Sequence, residues 1–163
     1  MSERVHPSKL RLSEQGYKVL ADRESVELET YLCDSGVLTI GLGHTSAAGP
    51  PVVREGMRIT EAQAEDIFRK DAQRFRQEAA HLVKVPLHQH EFDALASWLF
   101  NIGSTNFRTS TALKRLNAGD YAGCAEAMAW WNKPPSVISR RRAEVEQFRH
   151  GQYVARVQGR GDQ

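Results

Sequence analysis

The chain is poor in cysteine: Cys33 and Cys124 are the only two in 163 residues. That argues against a disulfide-stapled secreted scaffold and fits a reducing compartment. It lacks a long apolar run, and Met1 to Ser13 is polar and charged, with no apolar stretch of signal-peptide length. The expectation is a protein that accumulates in the cytoplasm, with neither a leader nor a transmembrane segment. Strong net charge is missing too. Twenty-two Lys and Arg stand against 20 Asp and Glu, a formal +2, which disfavours nucleic-acid binding. There is no internal repeat and no low-complexity segment.

What is present is an ordinary soluble composition, 40% apolar and 26% charged, in a length that suits one compact domain or two closely packed lobes. The charge is uneven. From Arg140 to Gln163 six arginines stand against three acids. This region either meets an anionic surface or forms a solvated helix face followed by a frayed tail, and both readings stay open.

The organisation reads as a small β-containing lobe (about 13–58), a helical lobe (about 59–153) and a tail (154–163). Ser13 is a plausible N-cap for a helix reaching Glu24, with Tyr17, Leu20 and Ala21 at helical spacing. Leu28 to Leu42 is rich in β-formers and broken by Asp34-Ser35-Gly36, a strand, turn, strand pattern. Thr60 and Gln63 form a capping box, after which Ala64, Ile67, Phe68, Phe75, Ala79 and Leu82 make one apolar stripe. Further helices are expected over Phe92–Ile102, Thr109–Asn117, Ala122–Trp131 and Arg140–Tyr153. The fold class is α+β, with a groove between the lobes as the natural ligand site.

Cleaving a glycosidic bond needs a proton donor on the leaving oxygen and help for the attacking group on the other side. Glu24, at a helix end directly before the hairpin, is a candidate donor, though an isolated Glu is usually just a surface residue. The segment carries more when read whole: Glu24, eight residues, Cys33, five residues, Thr39, then Thr39-Ile40-Gly41-Leu42-Gly43-His44. This resembles glycoside hydrolase family 24, the phage lysozymes. The signature there is a Glu, eight residues, an Asp, five residues, and a Thr opening a T-I-G-x-G-H run. Tyr31, Gly36, Phe92 to Leu95, Phe100 to Gly103, Phe107, Leu116 to Tyr121, Trp130 to Asn132 and Arg140-Arg141 with Glu144 also fall where the family has such blocks. The resemblance runs from about Leu10 to Gly151.

The resemblance implies a lysozyme-like fold and an inverting muramidase that cuts the β-1,4 bond between N-acetylmuramic acid and N-acetylglucosamine in peptidoglycan. It implies Glu24, Cys33 and Thr39 as catalytic residues, and Thr45, Phe100, Asn101 and Ser110 at the substrate. His44, Asp71 and Arg140 would support them: His44 paired with Asp71, and Arg140 reaching Glu24. No metal or organic cofactor is implied. A monomeric endolysin would need a holin to reach the wall in the periplasm or outside. Use as an antibacterial toxin, or as a wall-binding module without catalysis, are the alternatives.

The sequence departs from the pattern at three places. Cys33 stands where the family usually has Asp, Ser25 follows the Glu where Gly is common, and Pro134-Pro135 replaces a Gly-rich loop. Neighbouring strand residues face opposite sides, so Cys33 and Asp34 cannot both face the groove. A three-residue turn puts Cys33 on the face of Thr39, and a two-residue turn puts Asp34 there. The residues alone leave this open; the family spacing favours Cys33. Gly41-Leu42-Gly43 lacks the third glycine of a dinucleotide loop. His88-Gln89-His90 has no supporting Cys or acid cluster for a metal. Trp98 is expected in the core, while Trp130 and Trp131 either pack or stack on sugar rings.

Overall fold

The structure, a computed structural model, describes residues 3–33 and 35–159. The Asp34 alternative therefore lies outside the described residues. Helix α1 (Glu14–Arg23) starts where Ser13 accepts the Gly16 N–H at 2.9 Å and stops at Glu24, whose own N–H still reaches Leu20 O and Ala21 O. Three antiparallel strands follow in the order β1 (Glu27–Leu32), β2 (Leu38–Gly41) and β3 (His44–Thr45). Tyr31 pairs with Thr39 and Leu32 with Leu38. The outer edge of β1 is not left open, because Thr30 N–H bonds Met57 O and Ile59 N–H bonds Leu28 O.

Helix α2 (Glu61–Leu82) opens on the expected capping box, with Thr60 Oγ1 accepting the Gln63 N–H at 3.1 Å and Gln63 Oε1 accepting the Thr60 N–H at 2.8 Å. Its apolar stripe serves two cores. Ala64, Phe68 and Ala72 join Leu12, Leu20, Leu42 and Ala96 in a small cluster, and Ala79 joins the large cluster around Phe92, Trp98, Phe107, Leu116, Met128 and Phe148. Each such large side chain contributes about 1.5–3 kcal/mol when fully buried. One continuous helix thus ties the β-bearing side of the molecule to the helical side.

Helix α3 (Gln89–Ile102) runs through the middle, with Phe92 to Leu99 buried, and ends at Gly103, whose φ of +88° suits glycine. Helices α4 (Ser104–Arg108), α5 (Thr111–Asn117), α6 (Tyr121–Met128) and α7 (Ile138–His150) complete the body. Helix α4 was not expected; it is five residues long, too short for a periodic signal. Gly151, left-handed at φ 71° and ψ 25°, ends α7 before the expected Tyr153. Beyond it the chain folds back. Tyr153 donates to Asp93 Oδ2, Arg23 donates to Val154 O and Ala155 O, and Val157 N–H bonds Ser139 O. Of the tail expected from residue 154, the part up to 159 is tied down in this way, and 160–163 lie outside the described residues.

Trp98 is fully buried, as its surroundings predicted, and Trp131 packs edge-on against it with ring centroids 6.3 Å apart. Trp130 is 52% exposed and carries the Arg115 guanidinium 4.8 Å from its ring centre. No described helix is long and apolar enough to cross a membrane.

Candidate active site

A groove of about 440 Å³ lies between the loop after β3 and the end of α3, lined by Gly43, Thr45, Ala47 and Ala48 on one side and Phe100 to Thr105 on the other. Thr45, Phe100 and Asn101 line it. Ser110 does not. It caps α5, accepting the Leu113 N–H at 3.1 Å and donating to Phe107 O at 2.8 Å.

Glu24, at the end of α1, lies beside Gly43, which lines the groove. A Cβ placed on Gly43 would lie 3.6 Å from Glu24 Oε2 and 3.6 Å from Phe100 Cε1, so Gly43 separates the carboxyl from the aromatic wall without filling the gap. Its φ of +75° also suits glycine. The other oxygen, Oε1, accepts from Arg140 Nη1 at 2.7 Å. Among the described residues none donates to Oε2.

Arg140 is held in turn. Its Nε meets Glu144 Oε2 at 3.3 Å and its Nη2 donates to Ser97 O at 3.2 Å. Glu144 is fully buried and also accepts from Ser97 Oγ and from Arg141, whose Nη2 continues to Asn101 Oδ1. Arg23, 3% exposed, donates to Ser97 Oγ at 3.0 Å. Burial pushes the Arg23 guanidinium down to about 10, with the Glu144 charge opposing that shift. Three guanidiniums thus surround two carboxylates, with the hydroxyl and carbonyl of Ser97 as shared acceptors. Arg140 was expected here. Glu144 was not; it follows Arg141 by three residues and Arg140 by four, a helical spacing that pairs charges and could have found it. Nothing local pointed to Ser97 or to the use of Arg23.

The hairpin tip answers the register question. Cys33 N–H bonds Val37 O at 3.0 Å and Cys33 O accepts the Gly36 N–H at 2.8 Å. With Tyr31 opposite Thr39, this places Cys33 and Thr39 on one face. Cys33 Sγ lies 3.0 Å from Ser35 Oγ. That hydroxyl, then the backbone N–H groups of Val37 and Ser35, and finally Thr39, lower the thiol to about 7 against a small opposing effect of burial. Thr39 is 3% exposed and its hydroxyl donates to Val37 O at 2.9 Å. Cys124 sits in the helical core, where burial pushes its thiol up to about 12. The two cysteines are unpaired.

Below the groove His44 is 1% exposed. Its Nδ1 lies 2.7 Å from Asp71 Oδ2 and its Nε2 lies 2.8 Å from Pro51 O. Both partners are acceptors, so both ring nitrogens must carry protons to satisfy them. Burial works against the charged ring, but the Asp71 carboxylate and the Pro51 carbonyl outweigh it and raise the His44 pKa above its usual value. Arg74 reaches from α2 to Ala48 O and lies 3.4 Å from Asp71 Oδ1. Among the described residues no three His, Cys, Asp or Glu side chains converge as a metal-ligand set.

A profile of the phage lysozyme family matches residues 21–144. The chain is 37% identical over 148 residues to an endolysin of Acyrthosiphon pisum secondary endosymbiont phage 1, covering 85% of this chain and 98% of the relative. It is 36% identical over 143 residues to an endolysin of Salmonella phage P22, again covering 85% and 98%. Among solved structures, an endolysin from Escherichia coli O157:H7 phage FAHEc1 superposes with a TM-score of 0.79 at 40% identity, covering 89% of this chain and 97% of that one.

Proposed function

This chain belongs to the phage lysozyme family, a glycoside hydrolase by that membership, and on that premise we propose the division of labour within its groove. The substrate is peptidoglycan, and the role is host-cell lysis as an endolysin. The bond cut is the β-1,4 link between N-acetylmuramic acid and N-acetylglucosamine. Glu24 gives its proton to the leaving oxygen. A water attacks from the opposite face, positioned by Thr39 and Cys33, and the product inverts. Thr45, Phe100 and Asn101 bind the glycan. Arg140 fixes Glu24, and the His44–Asp71 pair anchors β3 directly after the turn that carries Gly43. The protein works as a monomer, is made in the host cytoplasm and reaches the wall through a holin.

One observation carries this reading. Glu24 has one oxygen held by Arg140 and the other turned to the groove beside Gly43, the arrangement a directed proton donor needs. Glu24→Gln keeps the size and the Arg140 contact but removes the acid. Lysis of a wall suspension, followed by turbidity, should fall by about a thousandfold or more, since the donor and part of the electrostatic arrangement go together. Near-normal clearing by a folded Glu24→Gln protein would remove Glu24 from the mechanism.

A further inference from the structure

The returning segment after α7 touches the residue just before each member of the Glu24–Arg140 pair. On one side, Arg23 Nη2 donates to Val154 O at 2.7 Å and Arg23 Nε to Ala155 O at 3.3 Å. On the other, Val157 N–H bonds Ser139 O at 2.9 Å. The clasp is reciprocal. Arg156 of the returning segment donates to Asp22 O at 3.4 Å and to Arg23 O at 3.3 Å, the last carbonyls of α1, which have no partner inside the helix. Arg23 also donates to Ser97 Oγ, and Ser97 O accepts from Arg140. The backbone behind Glu24 and the guanidinium in front of it therefore meet at one serine.

A purely structural need at Arg23 would be met as well by a packed apolar side chain, since desolvating a guanidinium is costly. What an arginine adds is direction: three bonds, to Ser97, Val154 and Ala155, fix where the end of α1 lies relative to the start of α7. Glu24 projects from the first, Arg140 from the second, and their carboxylate–guanidinium contact is 2.7 Å. A small shift of either end would rotate the carboxyl away from the groove, and misplacements of about 1 Å can cost on the order of a hundredfold in rate.

We propose that Arg23 and the segment Val154–Val157, through Arg156, form a positioning clasp that holds the Glu24 carboxyl aimed into the groove. Arg23 and Arg156 touch neither substrate nor reacting atoms; they act through the geometry of Glu24 and Arg140. The proposal rests on Glu24 being the acid.

The test uses the full-length protein and soluble peptidoglycan fragments, with kcat and KM measured well below the thermal midpoint. Arg156 is exposed, so Arg156→Ala should fold normally. It should lower kcat by roughly tenfold at unchanged KM, the mark of an interaction felt only in the transition state. Arg156→Lys, which can still donate to the carbonyls, should recover most of that loss. Arg23→Gln should give the same kcat signature, and if it fails to fold, the Arg156 pair decides alone. Combined with Arg140→Ala, the Arg156→Ala loss should shrink, since both act on the same carboxyl. Arg149→Ala, elsewhere on α7, should leave kcat unchanged. Wild-type kcat in Arg156→Ala, with only a lower thermal midpoint, would overturn the clasp. So would full additivity with Arg140→Ala. Glu24→Gln separates the two readings: if it is inactive and Arg156→Ala is unimpaired, only the clasp fails, whereas an active Glu24→Gln removes the mechanism on which it rests.

Discussion

The acid node and the hairpin of the proposed site are built on different principles. The acid side is a closed charge node: Glu24, Arg140, Glu144, Arg141 and Arg23 brace one another, and Glu144 is fully shielded from water. The hairpin side is light. Leu32 is 65% exposed and Val37 44%, and Cys33 is held by hydroxyl and amide groups instead of by opposite charges. On the proposed mechanism, the contrast follows from what each side has to hold. A proton must leave along one line, and a carboxyl can be fixed on that line only by partners that are themselves fixed. A water has its own freedom, and several arrangements of small polar groups can restrain it.

The strongest way to break this contrast is to open the node. Arg140→Ala leaves Glu24 without its holder and Glu144 with one guanidinium fewer. Lysis should fall on the order of a hundredfold, and stability should drop as well, because a buried carboxylate loses a partner. Arg149→Ala, measured beside it in the same turbidity assay, should change little. Equal small losses from the two arginines would mean that the acid side is not held in the way its geometry indicates.

Next in size is the hairpin side. Cys33→Ala should lose roughly tenfold in rate, within the usual range for a group assisting proton transfer, while Cys33→Asp and Cys33→Ser keep much of the activity. The thiol is lowered to about 7, so thiolate accumulates as pH rises through that value. Wild-type lysis should therefore rise through neutrality. Cys33→Asp should extend activity to lower pH, and Cys33→Ser should lack the neutral rise. Rate profiles of the three proteins at constant ionic strength check this, and three identical profiles would show that the sulfur does not titrate in the reaction.

The smallest effect joins the two sides. His44 is raised in the folded protein by Asp71 and Pro51, against burial. A group whose folded pKa is raised contributes stability that is complete below its unfolded value, about 6.5, and fades as pH rises through the folded value. The thermal midpoint should therefore decline as pH rises above about 6.5 through the raised His44 value, and His44→Gln, less stable at low pH, should lack that decline. An NMR titration showing His44 with an ordinary pKa would contradict the pairing.

The legible parts of the molecule were those written in neighbouring residues. Ser13 and Thr60 marked helix starts, the run Leu28 to Leu42 around Asp34-Ser35-Gly36 marked the first two strands, and the charged position Asp71 within an apolar stripe marked a buried partner; the short third strand, His44–Thr45, was not expected. The family spacing pointed to Cys33 and to Arg140; in the structure Arg140 meets Glu24, and Cys33 shares a hairpin face with Thr39. What stayed hidden depends on distant contacts with no periodic trace. Ser97 looks like any small residue in a buried helix. Arg23 looks like a polar residue at a helix end. Ser110 looked like a substrate contact, when its surroundings make it a cap. The polar stretch after Gly151 has no apolar pattern, yet it is bound through backbone carbonyls, which composition does not reveal.

The long reach of these contacts also orders events during synthesis. Glu24 and Arg140 are 116 residues apart, and Arg23 and Val154 are 131 apart. A nascent chain displays Glu24 on a helix that nothing yet braces, and the hairpin can pair beside it from local contacts alone. Arg140 emerges 116 residues after Glu24, and the segment that closes behind α1 later still. A ribosome-bound chain stopped before residue 140 therefore carries the Glu24-to-His44 run without the long-range contacts that brace it.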